Sequence, residues 1–122
     1  MVASKELPDD VRLAHVMADD ADSISMSRFK AQDLMIKTKP DSTPVTEADT
    51  AVEESIRRTL SRTRPRDAVH GEEMQDTGES NRRWIIDPID GTANYLRGVP
   101  VWATLIALEL EGQIVASVVS AP

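Results

Sequence analysis

Two apolar runs near the end of the sequence constrain the fold more than any other feature. The runs are VWATLIALEL at 101–110 and QIVASVVSA at 113–121, and only Glu111 and Gly112 separate them. Two strand-like runs joined by a short glycine-containing link predict a β-hairpin. Both runs are apolar on both faces over much of their length, which is typical of strands covered on each side. We therefore expect a layered α+β fold, with helices on one face of the sheet and further chain on the other.

A first helix is predicted over residues 8–25. Pro8 and the acidic pair after it suit a first helical turn, and apolar residues recur at helical spacing. The predicted apolar stripe consists of Val11, Ala14, Ala18 and Ala21. His15 lies beside this stripe, and we interpret it as a half-buried structural residue rather than a catalytic one.

A second helix is predicted over residues 46–60. Thr46 and Asp49 resemble a capping box in which aspartate replaces glutamate, and an apolar stripe follows at near-helical spacing. Short strands are predicted at 33–39, 68–71 and 82–86, a turn at 40–44 and a single helical turn at 91–96. Together these elements predict two helices packed on an antiparallel sheet.

The composition argues against several classes of function. The chain of 122 residues has a net charge of −7, whereas nucleic-acid-binding proteins usually present a basic surface. Its basic cluster, Arg62, Arg64 and Arg66, is interpreted as a solvated loop after a helix. No run reaches the roughly 20 apolar residues of a membrane helix, and the N-terminal segment has no signal-peptide core. The absence of cysteine excludes disulfides and is consistent with a cytoplasmic protein.

The segment DPIDGT at 87–92 holds the densest candidate chemistry. Pro88 keeps Asp87 and Asp90 close together, and two neighbouring carboxylates repel each other unless a proton or a cation lies between them. Mg²⁺ prefers such oxygen ligands, and the carbonyl of Ile89 is available between the two acids. An Asp-Pro turn with a capping aspartate is the alternative interpretation.

The Gly-Thr pair that follows favours the metal site over the turn. Gly91 lets a phosphate approach the backbone closely, and a helical turn that begins at Thr92 points free N–H groups at an anion. Carboxylates would then hold metal, and the backbone amides would hold a phosphate from the other side.

Two other acidic elements complete the candidate set. Glu72 or Glu73, after a short apolar strand, can supply a carboxylate that ligates metal and activates water; a solvated charge is the alternative. Asp49 can pair with a hydroxyl such as that of Thr92 to orient a water. Its alternative role is to stabilise the start of the second helix by a fraction of a kcal/mol.

In this order and spacing, three segments resemble the inositol monophosphatase family: TPVTEAD at 43–49, GEE at 71–73 and WIIDPIDGTANY at 84–95. The last segment is the signature of the family. The resemblance covers nearly the whole chain but only about the N-terminal half of a usual member. It implies a Mg²⁺-dependent phosphomonoester hydrolase with a layered αβαβα fold of the sugar-phosphatase type.

The resemblance also implies roles for individual residues. The metal ligands, for two or three Mg²⁺ ions, would be Glu72, Asp87, Asp90 and the carbonyl of Ile89. Gly91 and Thr92 would bind phosphate through their backbone amides. Asp49 and Thr92 would orient the attacking water, with Glu72 helping to activate it. Lys39 resembles a lysine that the family places before this helix, and is a candidate substrate residue.

A further metal-ligand aspartate of the family lies in its C-terminal half, in a Trp-Asp motif. We therefore expect residues 1–122 to be the N-terminal metal- and phosphate-binding portion of one longer domain, and to be inactive alone. By resemblance, the full-length protein is expected to form a homodimer.

The segment NYLRGVPVWATLIAL at 94–108 resembles the histidinol-phosphatase branch of the family. It implies hydrolysis of L-histidinol phosphate, a step of histidine biosynthesis; inositol phosphate or a related sugar phosphate is the alternative substrate. Arg97 is either a rim cation that steers a phosphate or a surface charge. Trp102 is interpreted as a packing residue rather than a substrate contact.

Overall fold

The computed structural model describes residues 6–122 and contains three helices and six strands in that range. The helices are α1 Glu6–Arg28, α2 Glu47–Thr63 and α3 Thr92–Leu96. The strands are β1 Ile36–Thr38, β2 Pro44–Thr46, β3 Ala68–Gly71, β4 Arg82–Asp90, β5 Ala103–Leu110 and β6 Gln113–Ser120. The two long helices and the helical turn are confirmed. Helix α1 extends beyond both of its predicted ends, and α2 begins one residue later than predicted and ends three residues later.

The strands form a two-stranded hairpin, β1–β2, and a four-stranded sheet in the order β3-β4-β5-β6. The predicted hairpin of β5 and β6 is confirmed, and Leu110 pairs with Gln113 across it. Glu111 and Gly112 have φ values of 50° and 84°, which is the backbone of the two-residue turns that match strand twist.

The large sheet is mixed rather than purely antiparallel. β3 runs parallel to β4, while β4, β5 and β6 are antiparallel neighbours. The reason is the loop 72–81, which carries the chain back to the end of the sheet where β3 began, so that β4 starts from the same end. One antiparallel bridge, Val69 with Thr77, fastens this loop to β3.

Helices α1 and α2 cover one face of the sheet. The core beneath them is built from large side chains of both layers: Met17, Val52, Ile56, Leu60, Trp84, Ile86, Ile106 and Leu108. The opposite face is only partly covered by the described residues, since Ile114 and Val119 of β6 are 54% and 69% exposed. The expectation that further chain covers this face stays a prediction.

The prediction that His15 is half-buried was wrong, because His15 is exposed. In α1 the residues that face the core are Ala14, Met17, Ala18 and Ala21. His15 is about 100° further round the helix than Ala14, which turns it to solvent. Val11, predicted in the stripe, is also exposed, at 36%.

A second, smaller cluster lies at the end of the sheet where α3 begins. The ring of Trp102 is centred 5.0 Å from that of Tyr95 and 5.5 Å from that of Phe29, and the hydroxyl of Tyr95 donates to the carbonyl of Ser25 at 2.8 Å. Trp102 is therefore a packing residue, as predicted. The cluster anchors α3 to the C-terminal end of α1.

Among residues 6–122, no helix combines the length and the apolar character needed to cross a membrane.

Candidate functional site

Most of the predicted site residues line one open cleft of about 380 Å³. The cleft lies where β4 ends, where α3 begins, and where the β1–β2 hairpin and the loop after β3 approach them. Its predicted members are Lys39, Glu72, Asp87, Ile89, Asp90, Gly91 and Thr92. Asp49 lies behind this lining, and Arg97 lies outside it.

A β-bulge brings the two aspartates to the same side of β4. Asp87 pairs with Leu105 and Asp90 with Ala103, so β4 uses one residue more than β5 over this stretch. In a regular strand, residues three apart point to opposite faces; the extra residue of a bulge cancels this alternation. The bulge is held by the buried Thr104, whose hydroxyl donates to the carbonyl of Pro88 at 2.7 Å.

The cleft concentrates negative charge. Burial raises the pKa of Asp87 to about 7, and repulsion from Asp90 and then Glu72 adds to this effect. A raised carboxyl pKa means that the charged form is disfavoured until something positive balances it. The donors that face the cleft are carboxylates and a backbone carbonyl, which are the hard oxygen ligands that Mg²⁺ takes.

The donor set fits a hard cation but is open. In the described part of the chain, no three His, Cys, Asp or Glu side chains are grouped as a complete metal site. Mg²⁺ usually keeps several waters and binds through one or two carboxylates plus phosphate oxygens. Glu72, Asp87, Asp90 and the carbonyl of Ile89 are therefore the residues that would hold it here.

Asp49 uses its two carboxylate oxygens for different purposes. Oδ1 accepts from the backbone N–H of Thr46 at 2.8 Å and completes the predicted capping box of α2. Oδ2 accepts from the hydroxyl of Thr92 at 2.8 Å. Asp49 is only 1% exposed, so this contact lies beneath the floor of the cleft. The predicted pairing of Asp49 with Thr92 is present, and so is the alternative role at the helix start.

Gly91 connects the bulge to α3 in a conformation that favours glycine. Its φ is 91°, and a Cβ there would lie 2.9 Å from the carbonyl oxygen of Val101. The turn directs the chain into α3, whose first N–H groups have no partner within the helix. Gly91 and Thr92 both line the cleft, where the sequence predicted a phosphate site.

The loop after β3 brings two glutamates to the cleft. The side chain of Glu73 forms an ion pair with Lys39 at 3.3 Å, so the candidate substrate lysine is held beside an acid. Glu72 is exposed and lies next to the aspartates, with its backbone N–H bonded to the carbonyl of Ile86 at 3.2 Å. Of the two glutamates that the sequence offered, Glu72 has the better placement for a metal ligand.

Arg97 is at the C-cap of α3 and is exposed. Its position outside the cleft lining favours the surface-charge interpretation over direct contact with a phosphate.

Glu53 was not predicted as a site residue. It is 0% exposed and contacts residues 72–77, the glutamate loop, through the backbone N–H of Glu73. Residue spacing indicates the position of Glu53 on the helix, although not its burial. Asp49, Glu53 and Arg57 follow one another at intervals of four, which places them on one face of α2 beside the apolar stripe.

Known proteins resemble this chain over most of its length. Residues 9–122 match the model of the inositol monophosphatase family. A histidinol-phosphatase of Streptomyces coelicolor is 66% identical in an alignment of length 118 that covers 93% of this chain and 44% of that protein. An inositol-1-monophosphatase of Mesorhizobium japonicum is 41% identical over 108 residues, covering 82% of this chain and 38% of that protein.

A solved structure with a similar fold is the extragenic suppressor protein suhB from Bartonella henselae. It matches with a TM-score of 0.86 and 35% identity, over 91% of this chain and 44% of that one. The chain thus spans less than half the length of the relatives it matches.

Proposed function

This chain belongs to the inositol monophosphatase family, and we propose that the protein containing it is a Mg²⁺-dependent phosphatase that hydrolyses L-histidinol phosphate to histidinol and phosphate. The observation that carries the chemistry is the position of the Thr92–Asp49 pair next to Asp87 and Asp90. The substrate is supported by the 66% identity to a histidinol-phosphatase, against 41% to an inositol-1-monophosphatase.

The hydroxyl of Thr92 is arranged to orient a water. Because it donates its proton to Asp49, the lone pairs of its oxygen remain as acceptors, and a water in the cleft can donate to them. The buried carboxylate of Asp49 is fixed by the cap of α2, so the direction of the hydroxyl is fixed too. Such positioning accounts for a large part of the rate of a hydrolytic enzyme.

The other site residues are proposed to bind Mg²⁺ and the phosphate and to activate the attacking water. Glu72, Asp87, Asp90 and the carbonyl of Ile89 would hold two or three Mg²⁺ ions, and Glu72 would also help to deprotonate the water. Bound Mg²⁺ supplies positive charge that polarises the phosphate and lowers the pKa of water. The backbone N–H groups of Gly91 and Thr92 would hold the phosphate from the other side.

Further features are proposed for the complete protein. We expect a cytoplasmic enzyme of histidine biosynthesis that acts as a homodimer on a small phosphorylated substrate. Because a further metal-ligand aspartate is expected outside residues 1–122, the activity is proposed for the complete protein and not for this segment alone.

Phosphate release from L-histidinol phosphate and from inositol 1-phosphate tests the proposal on the complete protein with Mg²⁺. We expect kcat/KM for histidinol phosphate to be higher by about tenfold or more, the kind of ratio that pocket contacts provide. A preference for inositol phosphate would establish the alternative substrate. If neither ester is hydrolysed, the proposed activity is wrong.

A further inference from the structure

Glu53 is a buried acid outside the proposed ligand set. Its carboxylate is completely enclosed, with Oε1 accepting from the backbone N–H of Glu73 at 2.9 Å and Oε2 accepting from Nε of Arg57 at 2.9 Å. Burying a charge is costly unless it is paired and hydrogen-bonded. Both carboxylate oxygens of Glu53 are hydrogen-bonded, and the partner of Oε1, the N–H of Glu73, belongs to the loop that carries Glu72.

Gly71 provides the space for this carboxylate. A Cβ at residue 71 would lie 2.4 Å from Cδ of Glu53, so no other residue type fits without moving it. Gly71 is not among the residues with positive φ. Its role is therefore to admit the Glu53 side chain rather than to relieve backbone strain.

Arg57 extends the attachment along the same loop. Its guanidinium donates to the carbonyl of Met74 at 3.3 Å and to the hydroxyl of Thr77 at 3.4 Å. The backbone of Thr77 is bonded to Val69 of β3 in both directions, at 2.8 and 3.0 Å. Glu53 and Arg57 thus hold residues 73–77 against α2.

Glu72 is consequently fixed from two sides. Its own N–H is bonded to Ile86 of β4, and the next N–H along the chain, that of Glu73, is bonded to Glu53. Its side chain lies in the cleft with Asp87 and Asp90. We propose that Glu53, assisted by Arg57, is a positioning residue that sets the distance between Glu72 and the two aspartates, and thereby the affinity for Mg²⁺.

This inference rests on the proposed function, in which Glu72 is a metal ligand. Helix α2 then contacts the site at two points. Asp49 bonds Thr92 on the α3 side, and Glu53, one turn later, bonds the glutamate loop.

The test is the affinity of the complete protein for Mg²⁺, measured by titration calorimetry without substrate. Glu53→Gln keeps the shape of the side chain but removes the charge that pairs with Arg57. Glu54→Gln is the matched control, because it makes the same change at the next, exposed residue. We expect Glu53→Gln to weaken Mg²⁺ binding by about tenfold or more, as loss of an outer-shell partner does, and Glu54→Gln to leave it unchanged. The titrations are run at a temperature at which thermal melting curves show both variants to be folded.

Gly71→Ala tests the same contact from the other side, because its methyl group displaces the carboxylate while every polar group is kept. It should weaken Mg²⁺ binding in the same way, and adding Glu53→Gln should cause no further loss, since substitutions that break one interaction are not additive. If Glu53→Gln does not fold, Gly71→Ala decides alone.

Wild-type affinity in folded Glu53→Gln or Gly71→Ala protein overturns the inference, as does an equal loss in Glu54→Gln. If the wild-type protein itself binds no Mg²⁺, the proposed function fails and this inference with it. If the wild type binds Mg²⁺ and releases phosphate while the variants bind equally well, only this inference fails.

Discussion

The hydroxyl oxygen of Thr92 lies 2.8 Å from Oδ2 of Asp49, and the same hydroxyl lies 3.0 Å from the carbonyl of Ile89. One side chain therefore joins the helix that carries Asp49 to the bulge that carries the proposed metal ligands. Four predictions follow from this arrangement and from its surroundings.

Thr92→Val removes the hydroxyl while keeping the volume of the side chain. We expect kcat for phosphate release by the complete protein to fall by about 100-fold, the typical effect of misplacing a reacting group, with a much smaller change in KM. Thr63→Val, at the exposed end of α2, is the control. An unchanged kcat in Thr92→Val would refute the assigned orientation of the water.

Asp90→Asn should abolish turnover with little effect on folding. Asp90 is exposed on the bulge, and its loss relieves repulsion on Asp87 instead of breaking a packed contact. We expect Mg²⁺ affinity and kcat to fall by more than the roughly 10–100-fold that outer-shell changes cost. Asp20→Asn, on the exposed side of α1, controls for net charge. Retained turnover with folded Asp90→Asn would remove Asp90 from the ligand set.

Mg²⁺ should stabilise the folded protein. The carboxylates of the cleft repel one another without a cation, and a ligand that binds only the folded state at 100 times its Kd contributes about 2.7 kcal/mol. We expect the melting temperature to rise with Mg²⁺ and to fall when EDTA is added. NaCl at matched ionic strength is the control, and an equal rise with NaCl would indicate general screening.

Gly91→Ala should destabilise the fold by more than Gly112→Ala. Both glycines have positive φ, 91° and 84°, which costs an alanine about 1–2 kcal/mol. Only at Gly91 does the added methyl group also meet another atom, the carbonyl of Val101 at 2.9 Å. The difference between the two variants in the free energy of unfolding, measured with urea, reports the cost of this contact. An equal decrease in both variants would contradict it.

Local features were predictable from the sequence because neighbouring residues determine them. The capping box of Thr46 and Asp49 and the turn at Glu111 and Gly112 each depend on a few adjacent positions. The direction of β3 was not predictable in this way, since it depends on the path of the loop 72–81.

The residues of the candidate site could be predicted from the sequence, but the tertiary contacts that hold them in place could not. The chemistry of Asp87, Asp90 and Thr92 was visible as a motif. The spacing of Asp49, Glu53 and Arg57 places Glu53 on one face of α2 but does not show that it is buried, because a glutamate on a helix ordinarily faces solvent. Its enclosure depends on tertiary contacts with Gly71 and with the backbone N–H of Glu73.

The bulge in β4 has a consequence for how such a site can arise and be lost. In an unbroken strand, Asp87 and Asp90 would point to opposite sides of the sheet, whatever their chemistry. Inserting one residue into β5 opposite the bulge would restore regular pairing and separate the two aspartates, while leaving both acids in the sequence. The length of β5, a strand that carries none of the proposed ligands, thus matters to the proposed metal site as much as the identity of either aspartate.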